Sequence, residues 1–173
     1  EELIRQISGL NQGKYLYEEE QEAAPTDLCI GAACYPEKHQ EALNLGTDIA
    51  YLKRKVDEGA DYLVTQMFFD NQRYFDFVER CRKEGITVPI IPGLKPLTNL
   101  RHVAFIPKTF HIDLPDDYAR ELLKCTTDAA VKDLGIEWTA QQAKELQARG
   151  VPSLHFYTMG RSEAVKAIAA QLY

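Results

Sequence analysis

Two patterns alternate along this chain: short, nearly continuous apolar runs, and longer segments in which apolar residues recur at helical spacing. Leu3, Ile4, Ile7 and Leu10 predict a short amphipathic helix over residues 1–10, with Gly9 near its end. Tyr15 to Thr26 is rich in Glu and closes on Ala-Ala-Pro-Thr, the composition of a polar surface linker. Residues 1–26 are thus expected to precede the main body, residues 27–173, as a helix and a linker.

Within that body four strand-loop-helix units follow. Asp27 to Tyr35 is an apolar run closed by Pro36, the pattern of a strand buried on both faces. Thr47 or Asp48 is positioned to cap a helix from Ile49 to Glu58, with Ile49, Leu52 and Val56 inward and Gly59 at its end. Tyr62 to Phe69 is the second strand, and Asp70 caps a helix carrying Tyr74, Phe75, Phe77, Val78 and Cys81 as far as Gly85. Thr87 to Ile91 is the third, ending in Pro92-Gly93-Leu94-Lys95-Pro96, where the backbone can turn sharply beside a ligand. Thr98 is expected to cap a short helix, and residues 107–127 to form an irregular insert with a helix from about Asp116 to Cys125. A long helix over Asp128 to Arg149, a fourth strand over Val151 to Tyr157 and a last helix begun near Ser162 complete the chain.

Strands that read as fully buried and alternate with helices imply an α/β fold with a parallel sheet. Four units suit a small doubly wound sheet or half of an eight-stranded barrel, and the pattern does not choose between them.

Composition narrows the function. Across 173 residues, 45% are hydrophobic and 27% charged, the balance of a globular domain. No apolar run reaches the length of a membrane span, and the first residues lack a signal peptide's basic start and apolar core, so a cytoplasmic protein is expected. A net charge of −6, with no patch of Lys and Arg free of acids, argues against nucleic acid as a partner. Cys29, Cys34, Cys81 and Cys125 form no C-x-x-C pair; the first three lie in apolar patterns and read as reduced and structural. His39, His102, His111 and His155 lack zinc-ligand spacing, so no metal site is expected.

In parallel α/β folds ligands bind beyond the carboxyl ends of the strands. Those ends carry Tyr35 and His39, then Gln66, then Gly93 and Lys95, then Tyr157 and Arg161. They offer aromatic surface, amide and guanidinium donors and an imidazole, but no nucleophile with its base. Gln66 in an apolar strand must find hydrogen-bond partners, either in a buried network or in a ligand. Arg161 lies near a helix start, where the dipole prefers an anion, and a cation there suits a carboxylate ligand.

Five phrases in order, Ala-Cys-Tyr-Pro-Glu-Lys-His, Leu-Lys-Arg-Lys-Val-Asp-Glu-Gly-Ala-Asp, Thr-Gln-Met-Phe-Phe-Asp, Pro-Ile-Ile-Pro-Gly-Leu-Lys-Pro and Leu-His-Phe-Tyr-Thr-Met-Gly-Arg, resemble the methylenetetrahydrofolate reductase family. The resemblance begins near Asp27. It implies a TIM-barrel type fold, with the four (β/α) units as strands five to eight of a (β/α)8 barrel. It also implies FAD as cofactor, NAD(P)H as hydride donor and reduction of 5,10-methylenetetrahydrofolate to 5-methyltetrahydrofolate. On the matching positions Tyr35, His39, Ala42, Asp48 and Lys55 would line the flavin's adenosine and diphosphate region, Lys55 adding positive charge for a pyrophosphate. Gln66 would touch whichever substrate occupies the flavin face, and Tyr157 and Arg161 would lie on the substrate side, Arg161 against a carboxylate of the folate tail.

Two positions depart from the family pattern: Gln40 replaces a proline in the flavin loop, and His102 stands where some members place a folate-contacting glutamine. The family's glutamate general acid belongs to the other half of the barrel, so this chain alone is expected not to turn over folate. A half-barrel leaves two open sheet edges that must be covered, by a complementary N-terminal half or by a second copy. A non-catalytic half-barrel that closes on itself is therefore the alternative function, and a flavodoxin-like open sheet the alternative fold.

Overall fold

A computed structural model describes residues 1–15 and 24–173; most of the expected linker, residues 16–23, lies outside the described residues. Helix α1 spans Glu2–Asn11 and strand β1 Gly31–Cys34, followed by α2 (Leu45–Asp57), β2 (Tyr62–Thr65) and α3 (Asn71–Lys83). Strands β3 (Ile90–Ile91) and β4 (Gly93–Leu94) precede α4 (Leu100–Phe110), α5 (Asp116–Leu122) and α6 (Asp128–Ala148), and β5 (His155–Phe156) and α7 (Glu163–Leu172) end the chain.

Every strand pair is parallel, in the orders β1-β2-β3 and β4-β5. The segment Ile90–Leu94 serves both sheets, pairing with β2 before Pro92 and with β5 after it. Spatial order thus follows chain order throughout. A flavodoxin-like sheet puts its second strand outside the first, so that arrangement is not the one formed.

Register sorts the side chains into two rows. Ala32, Leu63 and Ile90 are aligned across β1, β2 and β3, as are Ala33, Val64 and Ile91. Leu63 and Ile90 are buried at 0% and 1% exposure, packed with Leu52, Phe77, Cys81, Ile86 and Leu146 beneath the helices. In the other row Ala33 is exposed and Val64 and Ile91 are half-buried. Helices therefore cover one face of the sheet far better than the other.

Several elements are shorter or start elsewhere than the pattern predicts, each for a local reason. The strand expected from Asp27 begins at Gly31 because the Asn11 side chain takes the preceding backbone: its amide donates to Leu28 O and its Oδ1 accepts from Leu28 N–H, both at 2.8 Å. Cys29 is consequently exposed rather than structural, whereas Cys34 and Cys81 are buried free thiols, both pushed up by burial, Cys81 to about 12. The second strand stops at Thr65. Beyond it the Trp138 indole donates to Phe69 O and the Gln142 amide to Phe68 O, so those carbonyls bind α6 instead of a strand. Pro152 has no N–H to give, and the fourth strand shrinks to two residues.

Helix caps shift similarly. Asn44, not Thr47 or Asp48, caps α2 by accepting from Thr47 N–H, and Asn99, not Thr98, caps α4 by accepting from His102 N–H. Asp70 caps α3 as expected. Helix α4 runs through Pro107 to Phe110, into what reads as irregular insert, and ends on His111 in the left-handed region at φ 52°.

A second buried cluster joins Met67, Phe69, Leu97, Ile106, Tyr118, Leu122 and Val131 behind the loop that follows β4. Gly135 lets α6 lie directly on that loop, since a Cβ there would meet the carbonyl of Leu97. Replacing a mid-helix glycine by alanine ordinarily stabilises by about 1 kcal/mol. Here the contact is with backbone, so Gly135→Ala is expected to destabilise by about 1–3 kcal/mol, as overpacking does, read as a lower urea midpoint with unchanged slope. A raised midpoint would show that the loop gives way freely.

Candidate functional site

The carboxyl ends of the strands carry two neighbouring groups of side chains. The first sits on the loop from β1 to α2. Tyr35 and His39 pack edge to face with ring centroids 4.6 Å apart. Asp48, in the first turn of α2, accepts from His39 N–H at 2.7 Å, and His39 O accepts from Ala42 N–H at 3.0 Å. Lys38 adopts φ 90°, and its ammonium donates to the carbonyls of His39, Gln40 and Ala42 at 3.1, 3.4 and 2.8 Å. The loop that Gln40 would loosen for want of a proline is thus held by a lysine and a carboxylate.

Asp48 and Lys55 lie seven residues apart, on one face of α2. Lys55 Nζ donates to Ala33 O at 3.2 Å, which brings it to the edge strand β1 and leaves further donors for an anion. The five residues expected around a flavin therefore line one loop and one helix face. Burial, then the Asp48 charge, pushes the Tyr35 phenol above its usual value.

The second group surrounds Thr65. Its hydroxyl accepts from Gly93 N–H at 2.8 Å, and its carbonyl accepts from the Tyr157 hydroxyl at 2.7 Å. Gly93 has no room for a side chain, because a Cβ would run into Thr65 O and the Tyr157 ring. Tyr157 is thereby committed to the sheet; its phenol is pushed up by burial, then by Cys34 and Tyr35. Gln66 N–H donates to Cys34 O at 2.8 Å, and its side-chain carbonyl accepts from Met67 N–H at 3.0 Å, which leaves the amide NH2 free to donate.

Arg161 is exposed and lines a cavity of about 400 Å³ between the loop after β4, the starts of α4 and α6, and the loop after β5. Lys95, Arg101, His102 and Lys132 line it too. His102 Nδ1 accepts from Thr98 N–H at 3.3 Å, and burial, Lys95 and Arg161 all push its pKa down, so the ring is neutral with its proton on Nε2. Sequence reasoning names Lys95 only as a strand-end residue and misses Arg101 and Lys132. These residues belong to three separate elements, and no spacing along the chain reveals their meeting.

The carboxylates near the strand ends are already engaged. Asp48 holds His39, Asp70 caps α3, and Glu37 Oε2 accepts from Asp113 N–H at 2.8 Å while its Oε1 is buried without a partner. Among the described residues no three of His, Cys, Asp and Glu gather as a metal site, and no helix is long and apolar enough to cross a membrane.

A sequentially ordered parallel sheet whose strands alternate with helices defines an α/β protein. The chain belongs to the methylenetetrahydrofolate reductase family, whose profile matches residues 11–173. It is 37% identical over 147 residues to 5,10-methylenetetrahydrofolate reductase of Escherichia coli, covering 84% of this chain and 50% of that protein. It is 39% identical to methylenetetrahydrofolate reductase (NADH) 1 of Arabidopsis thaliana, covering 83% and 26%. The chain thus spans half or less of the length of these relatives. In fold it resembles an uncharacterized protein from Clostridium thermocellum described as binding two copies of 5-methyl-5,6,7,8-tetrahydrofolic acid, with a TM-score of 0.55 and 19% identity over 84% of this chain and 52% of that one.

Glu37 yields a pH-dependent expectation. Burial is the main cause that raises its pKa, with the Asp113 and Asp70 charges adding and the Asp113 N–H and Arg73 opposing. A carboxyl raised in the folded state binds its proton more tightly there, so stability falls as pH rises from the usual value through the raised one. Glu37→Gln keeps an acceptor for Asp113 N–H and removes the charge. It is expected to stabilise the protein at pH 7 by about 1 kcal/mol and to flatten the melting temperature between pH 4.5 and 7. An unchanged pH profile would remove Glu37 as its source.

Proposed function

We propose that this chain supplies a (β/α)4 half of a (β/α)8 barrel that binds FAD and reduces 5,10-methylenetetrahydrofolate to 5-methyltetrahydrofolate with NAD(P)H. The observation that carries the reading is the two-row register: one row of the sheet is buried under helices, while Ala33, Val64 and Ile91 form an under-covered row at outer edge β1 and its neighbours. Parallel sheets are normally covered on both faces, and barrel closure both covers the inner row and removes the edges. On this reading residues 27–173 are the half-barrel and residues 1–26 a preceding helix and linker.

FAD, when bound, would relay hydride from the nicotinamide to the folate's methylene carbon. Tyr35, His39, Ala42 and Asp48 fit the cofactor as a preshaped loop, since the carboxylate and Lys38 bind its backbone before any ligand arrives. Lys55 offers an ammonium to the diphosphate. Gln66 presents its amide NH2 towards a substrate, Tyr157 fixes the strand ends through Thr65, and Arg161 meets a carboxylate at the cavity mouth. By the resemblance the proton donor for the folate is a glutamate of a complementary N-terminal half.

Titration with FAD, followed by flavin absorbance, tests the site. Lys55→Ala is expected to weaken binding about tenfold, while Lys83→Ala, whose ammonium pairs with Glu79, leaves it unchanged. Equal effects, or no binding by the unaltered chain, would overturn the flavin assignment. With FAD, NAD(P)H and 5,10-methylenetetrahydrofolate added, the chain alone is also expected to oxidise no NAD(P)H in a folate-dependent way; folate-dependent turnover on the order of 10 s⁻¹, typical of enzymes, would refute the missing proton donor.

A further inference from the structure

We propose that Lys38 is a positioning residue for the loop from β1 to α2: its side chain holds the backbone of residues 38–42 in a shape that a proline at position 40 would hold by its ring. The inference rests on the flavin reading above and deepens it, because it separates the lysine that shapes the loop, Lys38, from the lysine that meets the ligand, Lys55.

The backbone singles out Lys38 first. It adopts φ 90°, a region that a residue with a Cβ rarely enters, and such a conformation persists only where its surroundings hold it from several sides. Lys38 N–H donates to Tyr35 O at 3.2 Å, and Pro36 is buried. The Glu37 carboxylate accepts from Asp113 N–H at 2.8 Å, and Asp113 pairs with Arg73 at 3.1 Å. The residues before Lys38 are thereby moored to α3 and to the segment between α4 and α5.

The ammonium holds the residues after it. Although Glu37 and Glu41 are close in sequence, its donations go to backbone: to His39 O at 3.1 Å, Gln40 O at 3.4 Å and Ala42 O at 2.8 Å. An ammonium has three donors, so this one is fully used and has none left for a phosphate. Three carbonyl dipoles gathered at one point repel one another unless a cation stands between them. Removing the charge therefore releases the loop rather than relaxing it in place.

The shape held in this way sets the face offered to the cofactor. Ala42 N–H donates to His39 O at 3.0 Å and Glu41 N–H donates to His39 Nδ1 at 3.3 Å, so the imidazole, packed on Tyr35, turns with the loop. Gln40 is exposed and, unlike proline, does not fix its own φ. Rigidity at this place has to come from another residue, and the Lys38 side chain supplies it.

FAD titration at low and high salt, with hydrogen exchange of the His39 and Ala42 amides in the cofactor-free chain, tests the proposal. Lys38→Met is expected to weaken FAD about tenfold without changing the salt dependence of its affinity, and to speed exchange at both amides. Lys38→Gly suits the positive φ and so folds, yet it lacks the ammonium and should lose about as much FAD affinity as Lys38→Met does. Adding Gln40→Pro to Lys38→Met is expected to bring affinity back to within about threefold of the unaltered chain and to slow exchange again. The proposal is overturned if Lys38→Met or Lys38→Gly binds FAD as well as the unaltered chain does. It is equally overturned if Lys38→Met flattens the salt dependence as Lys55→Ala does, which would make Lys38 a ligand contact. Faster exchange in Lys38→Met, reversed by Gln40→Pro, in a chain that binds no FAD would leave the loop assignment standing and remove the flavin reading; FAD binding and exchange both indifferent to Lys38 would do the reverse.

Discussion

The constraint on which this structure depends is one-sided burial of a parallel sheet. Hydrophobic burial contributes about 25 cal/mol per Å², and within the three-stranded sheet it falls on the row that faces the helices, where Leu63 and Ile90 are sealed. Helices α2, α3 and α6 supply the side chains that cover it, and a separate cluster packs behind the loop that follows β4. The other row and the outer edge of β1 contribute little to this chain's own stability, and they are the surfaces on which a completed barrel would be built.

The order of strands and helices was legible in the chain because apolar runs and helical stripes alternate without ambiguity, and because Gly and Pro punctuate them. Boundaries were less legible, since side chains distant in sequence decide them. Asn11 claims the backbone at Leu28, and Trp138 and Gln142 claim Phe69 and Phe68. A residue-by-residue pattern contains no sign of such competition. The cap of α2 was missed for a related reason: Asn44 and Asp48 are both good capping residues, and only the path of the loop decides that Asp48 serves His39 instead.

The candidate site divides along the same line. Tyr35, His39, Ala42 and Asp48 come from one continuous stretch, so their meeting around one loop is legible in the chain. The cationic cavity draws Lys95, Arg101, Lys132 and Arg161 from the loop after β4, α4, α6 and the loop after β5, and only the fold brings them together. Its electrostatics are coherent all the same. The cations stand around a neutral imidazole, and the chain's surplus of acid is kept elsewhere.

Thr65 adds a mechanical consequence. Its hydroxyl takes Gly93 and its carbonyl takes Tyr157, so one residue stitches β2 to the β4-β5 pair beyond the Pro92 break. The loop holding Tyr35 and His39 leaves β1, which is paired directly to β2 up to Cys34 and Thr65. Thr65 thus ties Tyr157, in the wall of the cationic cavity, to the strand beside which the loop with Tyr35 and His39 begins.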